Sequence, residues 1–293
     1  MPTLGWIGLG QMGTPMTTNL LREGYVVNVF NRSPEKVTPL TALGAIKHDS
    51  PKSVVEQSDV TFLMLTNASA IREILTREDG VLAGMQKGRI IIDMSTISPA
   101  ESAAFGQMVA AKGGKYLDAP VSGSIGAAAA AGLIILAGAD ELELEALMPF
   151  FNVLGKKVIP FGSAGKGSAA KLAINLLLGI TAQAMGETLL FSEKLCLDQE
   201  AMFELISNSA MNTGLFQFKK EMFRTQEFPS QFMLELMAKD LGLIQSEIDA
   251  AKLDLPLASA SHATFAAARN HGRGKMDMAA VYLDLKERNK ATS

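Results

Sequence analysis

Over the first 162 positions the apolar residues come in short runs separated by amphipathic stretches, an alternation that predicts strand, crossover helix and strand. The runs Thr3 to Ile7, Val26 to Phe30, Val60 to Leu65, Arg89 to Met94, Lys115 to Asp118, Leu133 to Ala137 and Val158 to Phe161 are expected to line up in a mainly parallel sheet. Helix starts are legible between them. Ser33-Pro34 and Ser98-Pro99 each set a capping hydroxyl before a first-turn proline, and Glu101 completes a capping box with Ser98. Beyond Gly162-Ser163-Ala164-Gly165 the period turns helical to the end of the chain. Leu172, Leu176, Ile180, Leu189 and Leu190 predict one helix from about Ser168 to Lys194, roughly 40 Å long at 1.5 Å per residue. Further helices are expected at about 198–208, 231–251, 256–270 and 276–288. The pattern therefore describes an α/β domain over residues 1–163 and an all-helical domain over 164–293, joined by a long helix.

Composition narrows the class. The 293 residues carry 27 basic and 30 acidic side chains, a formal charge of -3, which is no footprint for nucleic acid. A hydrophobic fraction of 48% against 19% charged excludes disorder. The apolar runs are broken by Gly, Pro or charge, so no bilayer span is expected. MPTLGWIGLG has no basic leader and reads directly into a strand, so no signal peptide is expected. The lone Cys196, placed in an apolar helical stretch, excludes an intramolecular disulfide and fits a reducing cytoplasm. His48, His262 and His271 are scattered, so no metal site is expected.

The first strand runs into Gly8-Leu9-Gly10-Gln11-Met12-Gly13, a GxGxxG turn, and then into an amphipathic helix. In that order Gly8 permits the tight turn, Gly10 the approach of a pyrophosphate and Gly13 close helix packing, while the helix start presents N–H groups to phosphate. This is the pattern of a Rossmann-type dinucleotide-binding domain. At the end of the second strand, where a carboxylate usually binds the ribose of NAD, stand Asn31, Arg32 and Ser33. An uncharged amide, a guanidinium and a hydroxyl suit the 2'-phosphate of NADP(H). Leu65 is counted with the cofactor contacts.

Three further segments fall where strands deliver side chains to the ligand edge: Asp93-Met94-Ser95-Thr96-Ile97-Ser98-Pro99, Asp118-Ala119-Pro120-Val121-Ser122-Gly123-Ser124, and Gly165-Lys166-Gly167-Ser168-Ala169-Ala170-Lys171 with Asn175. With WIGLGQMGTPMTTNL they resemble the β-hydroxyacid dehydrogenases, the 3-hydroxyisobutyrate dehydrogenase family that includes the glyoxylate/succinic semialdehyde reductases, over essentially the whole chain. The resemblance implies Lys171 as catalytic lysine and Asn175 as its substrate-binding partner. It implies Ser122 and Gly123 as the substrate-carboxylate turn, and Thr96 beside nicotinamide and substrate. Lys239 is implied as a cofactor contact, and Phe232 and Asp240 as pocket residues. Ser124 departs from the family pattern, which commonly has a second glycine there, and bears on the shape of the acid-binding loop.

The chemistry agrees independently. Carbonyl reduction by hydride leaves negative charge on oxygen, so a positioned acid must donate a proton, and Lys171 is suited to it among Ala169, Ala170, Leu172 and Ala173. Asn175, at i+4, orients lysine or substrate by neutral hydrogen bonds. The expected activity is NADPH-dependent reduction of a small aldehyde-carboxylate. The alternatives are oxidation of a β-hydroxyacid and an inactive NADP-binding scaffold. Apolar helix surface in the second domain predicts a homodimer or larger homo-oligomer.

Overall fold

The computed structural model describes residues 2–290. The chain forms two compact units, Met1–Lys171 and Leu172–Ser293, the first taking in the opening turns of the long helix.

In the first unit, strands β1 (Leu4–Ile7), β2 (Val27–Phe30), β3 (Ile46–Lys47), β4 (Val60–Leu63), β5 (Ile90–Asp93) and β6 (Lys115–Asp118) make a parallel sheet in the order β3-β2-β1-β4-β5-β6. Strands β1, β2 and β4 are buried along their whole length, as a sheet covered by helices on both faces requires. Side-chain alternation divides the core. Leu4, Trp6, Val29 and Phe62 pack on one side, with Trp6 stacked on Phe62 at 5.2 Å, and Ile7, Leu63, Ile91 and Phe105 pack on the other. The edge strand β3 escapes a hydrophobicity reading because both of its residues are exposed.

The expected single sheet is corrected. Leu133 to Ala137 and Val158 to Phe161 do not extend it; β7 (Val121–Ser122), β8 (Leu133–Ala137) and β9 (Gly155–Pro160) form a separate three-stranded sheet, with β7 antiparallel to β8 and β9 parallel to it. A parallel return to β6 needs a crossover of a dozen or more residues, usually a long helix. Of the stretch between β6 and β8, part is taken by β7 and only the short helix Ile125–Ala129 is helical, so β8 turns back to pair with β7 instead. Ser33 is also corrected: it makes no side-chain cap, and Pro34–Lys36 is a single 3-10 turn. Ser98 forms the full capping box with Glu101 on the helix Pro99–Ala110.

The helical unit contains no strand among the described residues, only an isolated bridge between Met233 and Asp277. Its spine is the helix Lys166–Lys194, 29 residues or about 43 Å. By length and composition this helix is apolar enough to cross a membrane, contrary to the sequence expectation. Its burial is one-sided: Leu172, Asn175, Gly179, Ala182, Gly186 and Leu189 form the buried stripe. Its middle, Gly179, Ala182 and Gly186, is small, so neighbours pack close there. A Cβ on Gly179 would stand 3.2 Å from Leu241, and one on Gly186 3.5 Å from Tyr282. The predicted face at Leu176 and Ile180 is only half-buried.

The helix Gly214–Thr225 was not expected from the pattern, because its buried face includes Lys219, whose ammonium pairs with the buried Asp277 at 2.8 Å. Cys196 lies just past the long helix, exposed in a left-handed turn (φ 59°), and not within a helix. The expected helix at 276–288 is divided into Met278–Ala280 and Val281–Lys290, with Asp277 capping the first piece.

Candidate active site

The strand order reverses between β1 and β4, and in an open parallel sheet ligands bind at the carboxyl ends of the strands beside such a point. The glycine turn is there. Gly8 has φ 103°, and a Cβ on it would lie 2.3 Å from the Met64 carbonyl and 2.9 Å from Leu65 Cδ2, so the first strand end and Leu65 are in contact. A Cβ on Gly13 would stand 2.0 Å from the Gly8 carbonyl, whereas Gly10 has open space where a side chain would be. The helix Gly13–Arg22 opens with neither a side-chain cap nor an acidic residue in its first turn. Its first N–H groups and partial positive charge suit phosphate, so these residues fit a dinucleotide. Gln11 is exposed and Met12 half-buried on the same turn.

Asn31 serves the protein first. Its Oδ1 accepts the Leu9 N–H at 2.8 Å and its Nδ2 donates to the Ser33 carbonyl at 2.9 Å, so the side chain ties the glycine turn to the loop after β2. This qualifies its expected role as a direct ligand for a 2'-phosphate. Arg32 stands exposed beside it, and Ser33 is half-buried.

At the ends of β5 and β6 stand two buried carboxylates, each 1% exposed, in register with one another: Asp93 and Asp118. Asp93 accepts the Ser95 N–H at 2.9 Å and the Tyr116 hydroxyl at 2.7 Å, while Ser95 Oγ accepts the Leu65 N–H at 2.9 Å. This latch fixes the loop carrying half-buried Thr96 against the end of β4. Desolvation pushes the Asp93 carboxyl up to about 6, outweighing the hydrogen bonds that favour its charge, and burial also pushes the Tyr116 phenol up. Asp118 accepts from Gly165 and Ser168 at the start of the long helix. Asp93 and Asp118 stand in the sequence motifs without an assigned role; a carboxylate ending a strand, behind Ile90 to Ile92 in one case and behind Tyr116 and Leu117 in the other, is the available signal.

Ser122 closes β7, half-buried, and Gly123 follows in an extended left-handed conformation (φ 149°). Ser124 caps the helix Ile125–Ala129, its Oγ accepting from Ala127 N at 3.2 Å, which gives the departure from glycine a local structural use.

On the long helix Lys171 is half-buried and Asn175 lies one turn on, 1% exposed. Within the helical unit Asn175 Nδ2 donates to Asp240 Oδ2 at 2.6 Å, and Lys239 Nζ stands 3.0 Å from Asp240 Oδ1, attracted by charge but not aligned as a hydrogen bond. Three expected site residues, Asn175, Lys239 and Asp240, thus form one cluster. Phe232 is half-buried, its loop held by Asp277 Oδ2, which accepts from Gln231 N at 3.0 Å, Phe232 N at 3.1 Å and Lys219. Among the described residues no group of three His, Cys, Asp or Glu side chains is placed to hold a metal.

Comparison with known proteins places this geometry. Residues 3–162 match the profile of the NAD binding domain of 6-phosphogluconate dehydrogenase, and residues 165–284 match that for NAD-binding of NADP-dependent 3-hydroxyisobutyrate dehydrogenase. The chain is 36% identical to 2-(hydroxymethyl)glutarate dehydrogenase of Eubacterium barkeri, over 95% of this chain and 93% of that protein. It is 33% identical to glyoxylate/succinic semialdehyde reductase 1 of Arabidopsis thaliana, over 95% and 96%. Among solved structures it resembles Mycobacterium tuberculosis 3-hydroxyisobutyrate dehydrogenase with L-serine, with TM-score 0.88, 31% identity and coverage of 97% of this chain and 99% of that one.

Proposed function

The chain belongs to the 3-hydroxyisobutyrate dehydrogenase family of NAD(P)-binding oxidoreductases acting on hydroxyl or aldehyde groups, and from that premise we propose that it uses NADPH to reduce a small aldehyde-carboxylate to the hydroxy acid. Glyoxylate and succinic semialdehyde, which the Arabidopsis relative's name contains, represent the substrate class. The observation that carries the reading is Lys171 one helical turn before the buried Asn175, whose amide is fixed by Asp240.

A nicotinamide cofactor held at the Gly8 to Gly13 turn would supply the hydride for the carbonyl carbon. Lys171 donates the proton that the developing oxyanion needs, and in the reverse oxidation takes it back as general base. Asn175, its amide oriented by Asp240, orients the reacting groups. The Ser122 hydroxyl and the Gly123 N–H hold the substrate carboxylate. Thr96, on the loop held by the Asp93 and Ser95 latch, would contact the cofactor's nicotinamide end when it is bound. Arg32, with no carboxylate at position 31, favours the 2'-phosphate of NADP.

Single-turnover NADPH oxidation tests the assignment. Lys171→Ala is expected to lower the rate by about 100- to 10,000-fold, the range for a lost acid-base group, with NADPH binding little changed. Lys171→Arg is expected to fail as well, since guanidinium does not release its proton near neutrality. Near-parent turnover by Lys171→Ala would remove the central claim. A parent that binds NADPH but turns over no aldehyde-carboxylate would be a scaffold.

The reading includes self-association through the helical unit. Leu177, Phe191, Leu205, Met211, Phe218 and Leu257 there are each at least 60% exposed, apolar side chains that a second copy could cover. Light scattering at micromolar concentration should give at least a dimer; a monomer alone would count against it.

A further inference from the structure

Asp118 is the last residue of β6, and both of its carboxylate oxygens are engaged by the opening turn of the long helix. Oδ1 accepts the Gly165 N–H at 2.7 Å and Oδ2 accepts the Ser168 N–H at 2.7 Å. Gly165 immediately precedes the first helical residue, Lys166, and Ser168 is the third, so this carboxylate supplies the bonds that a helix usually receives from its own N-cap side chain. The difference is mechanical. A cap from the helix's own chain moves with the helix, whereas one from a strand 47 residues away holds the helix to the sheet.

Glycine makes the fit possible. A Cβ on Gly138 would stand 2.2 Å from Asp118 Oδ1, and one on Gly167 would stand 2.3 Å from the Leu136 carbonyl and 2.9 Å from that of Asp118. The helix start is therefore seated on the ends of β6 and β8. Lys171 follows Ser168 by three residues, within one turn, so its rotation about the helix axis is set by that seat. The strand that supplies Asp118 also leads in four residues to Ser122.

We propose that Asp118 is a positioning residue for Lys171, fixing the rotation and height of the lysine relative to the sheet edge that bears Ser122 and the Thr96 loop. The inference rests on Lys171 as proton donor. A displacement of about 1 Å in a reacting group can cost a factor of about 100 in rate, so a slackened seat should appear in turnover before it appears in cofactor binding.

A double-mutant cycle tests this, using single-turnover NADPH oxidation and NADPH binding on the full chain. Asp118→Asn sets an NH2 group against one of the two N–H donors. It is expected to slow turnover roughly 10- to 100-fold with Lys171 present, and by less than about 3-fold in the Lys171→Ala background, because a residue acting through Lys171 has nothing left to position. Gly165→Ala strains the same cap at φ 84° without removing the carboxylate, and should give a smaller drop with the same dependence on Lys171. If Asp118→Asn does not bind NADPH, the Gly165→Ala cycle decides alone.

Equal slowing in both backgrounds, or parent turnover with only a lowered melting temperature, would make Asp118 a structural cap and overturn the proposal while leaving Lys171 as the acid. Near-parent turnover by Lys171→Ala itself would overturn the function reading and this inference with it.

Discussion

The Asp93 carboxyl should make the first unit less stable as pH rises from about 4 to about 6, and Asp93→Asn should abolish that dependence. Asp93 is 1% exposed, and desolvation raises its carboxyl from 3.8 to about 6. The sign follows from proton binding. Below about pH 4 the folded and unfolded chains both hold this proton. Between about 4 and 6 the folded chain retains a proton that the unfolded chain has released, so stability falls as pH rises; above about 6 the loss is complete. A raise of about 2 units at 1.36 kcal/mol each is worth about 3 kcal/mol. Asp93→Asn can still accept from Ser95 N, and its amide can donate to the Tyr116 oxygen, so both existing partners keep a bond. The variant should therefore gain about 3 kcal/mol relative to the parent between about pH 4 and pH 7, or roughly 6 to 12 °C for a unit of this size. Thermal melts by circular dichroism at about pH 4, 5, 6 and 7 measure it. A melting-temperature difference that stays constant across that range would refute the reasoning, because only a titrating group makes the two proteins diverge.

Arg32→Ala should weaken NADPH binding by about 1.5 to 3 kcal/mol, roughly 10- to 100-fold, while NADH binding changes little. It is the cleaner probe because Asn31 also holds the Leu9 N–H, and titration calorimetry showing an unchanged NADPH to NADH preference would refute the assignment. Succinic semialdehyde should exceed butanal in kcat/KM by about 100-fold or more, since a substrate without a carboxylate leaves the polar groups of the Ser122 and Gly123 turn without their partner; comparable values would remove that role from the turn.

The local features were legible in the sequence because each depends on neighbours along the chain. Gly8 to Gly13 announced its turn by spacing, Ser98 and Glu101 their capping box, and the alternating runs the parallel strands, since a buried strand must be apolar and a turn must have residues that permit it. Lys171 and Asn175 shared a face as soon as the helix was recognised. The division into two sheets was not legible, because strand runs carry no mark of their partner; pairing depends on whether a crossover is long enough to return parallel. Nor was the helix at Gly214–Thr225, whose buried Lys219 reads as a solvent-facing charge until Asp277, distant in sequence, is seen to pair with it. Asp93 and Asp118 looked alike in the chain, each an acid closing a strand directly behind apolar residues. Tertiary structure alone separated them, giving one to the Thr96 loop and the other to the lysine helix, because a buried carboxylate must find its donors wherever the fold brings them.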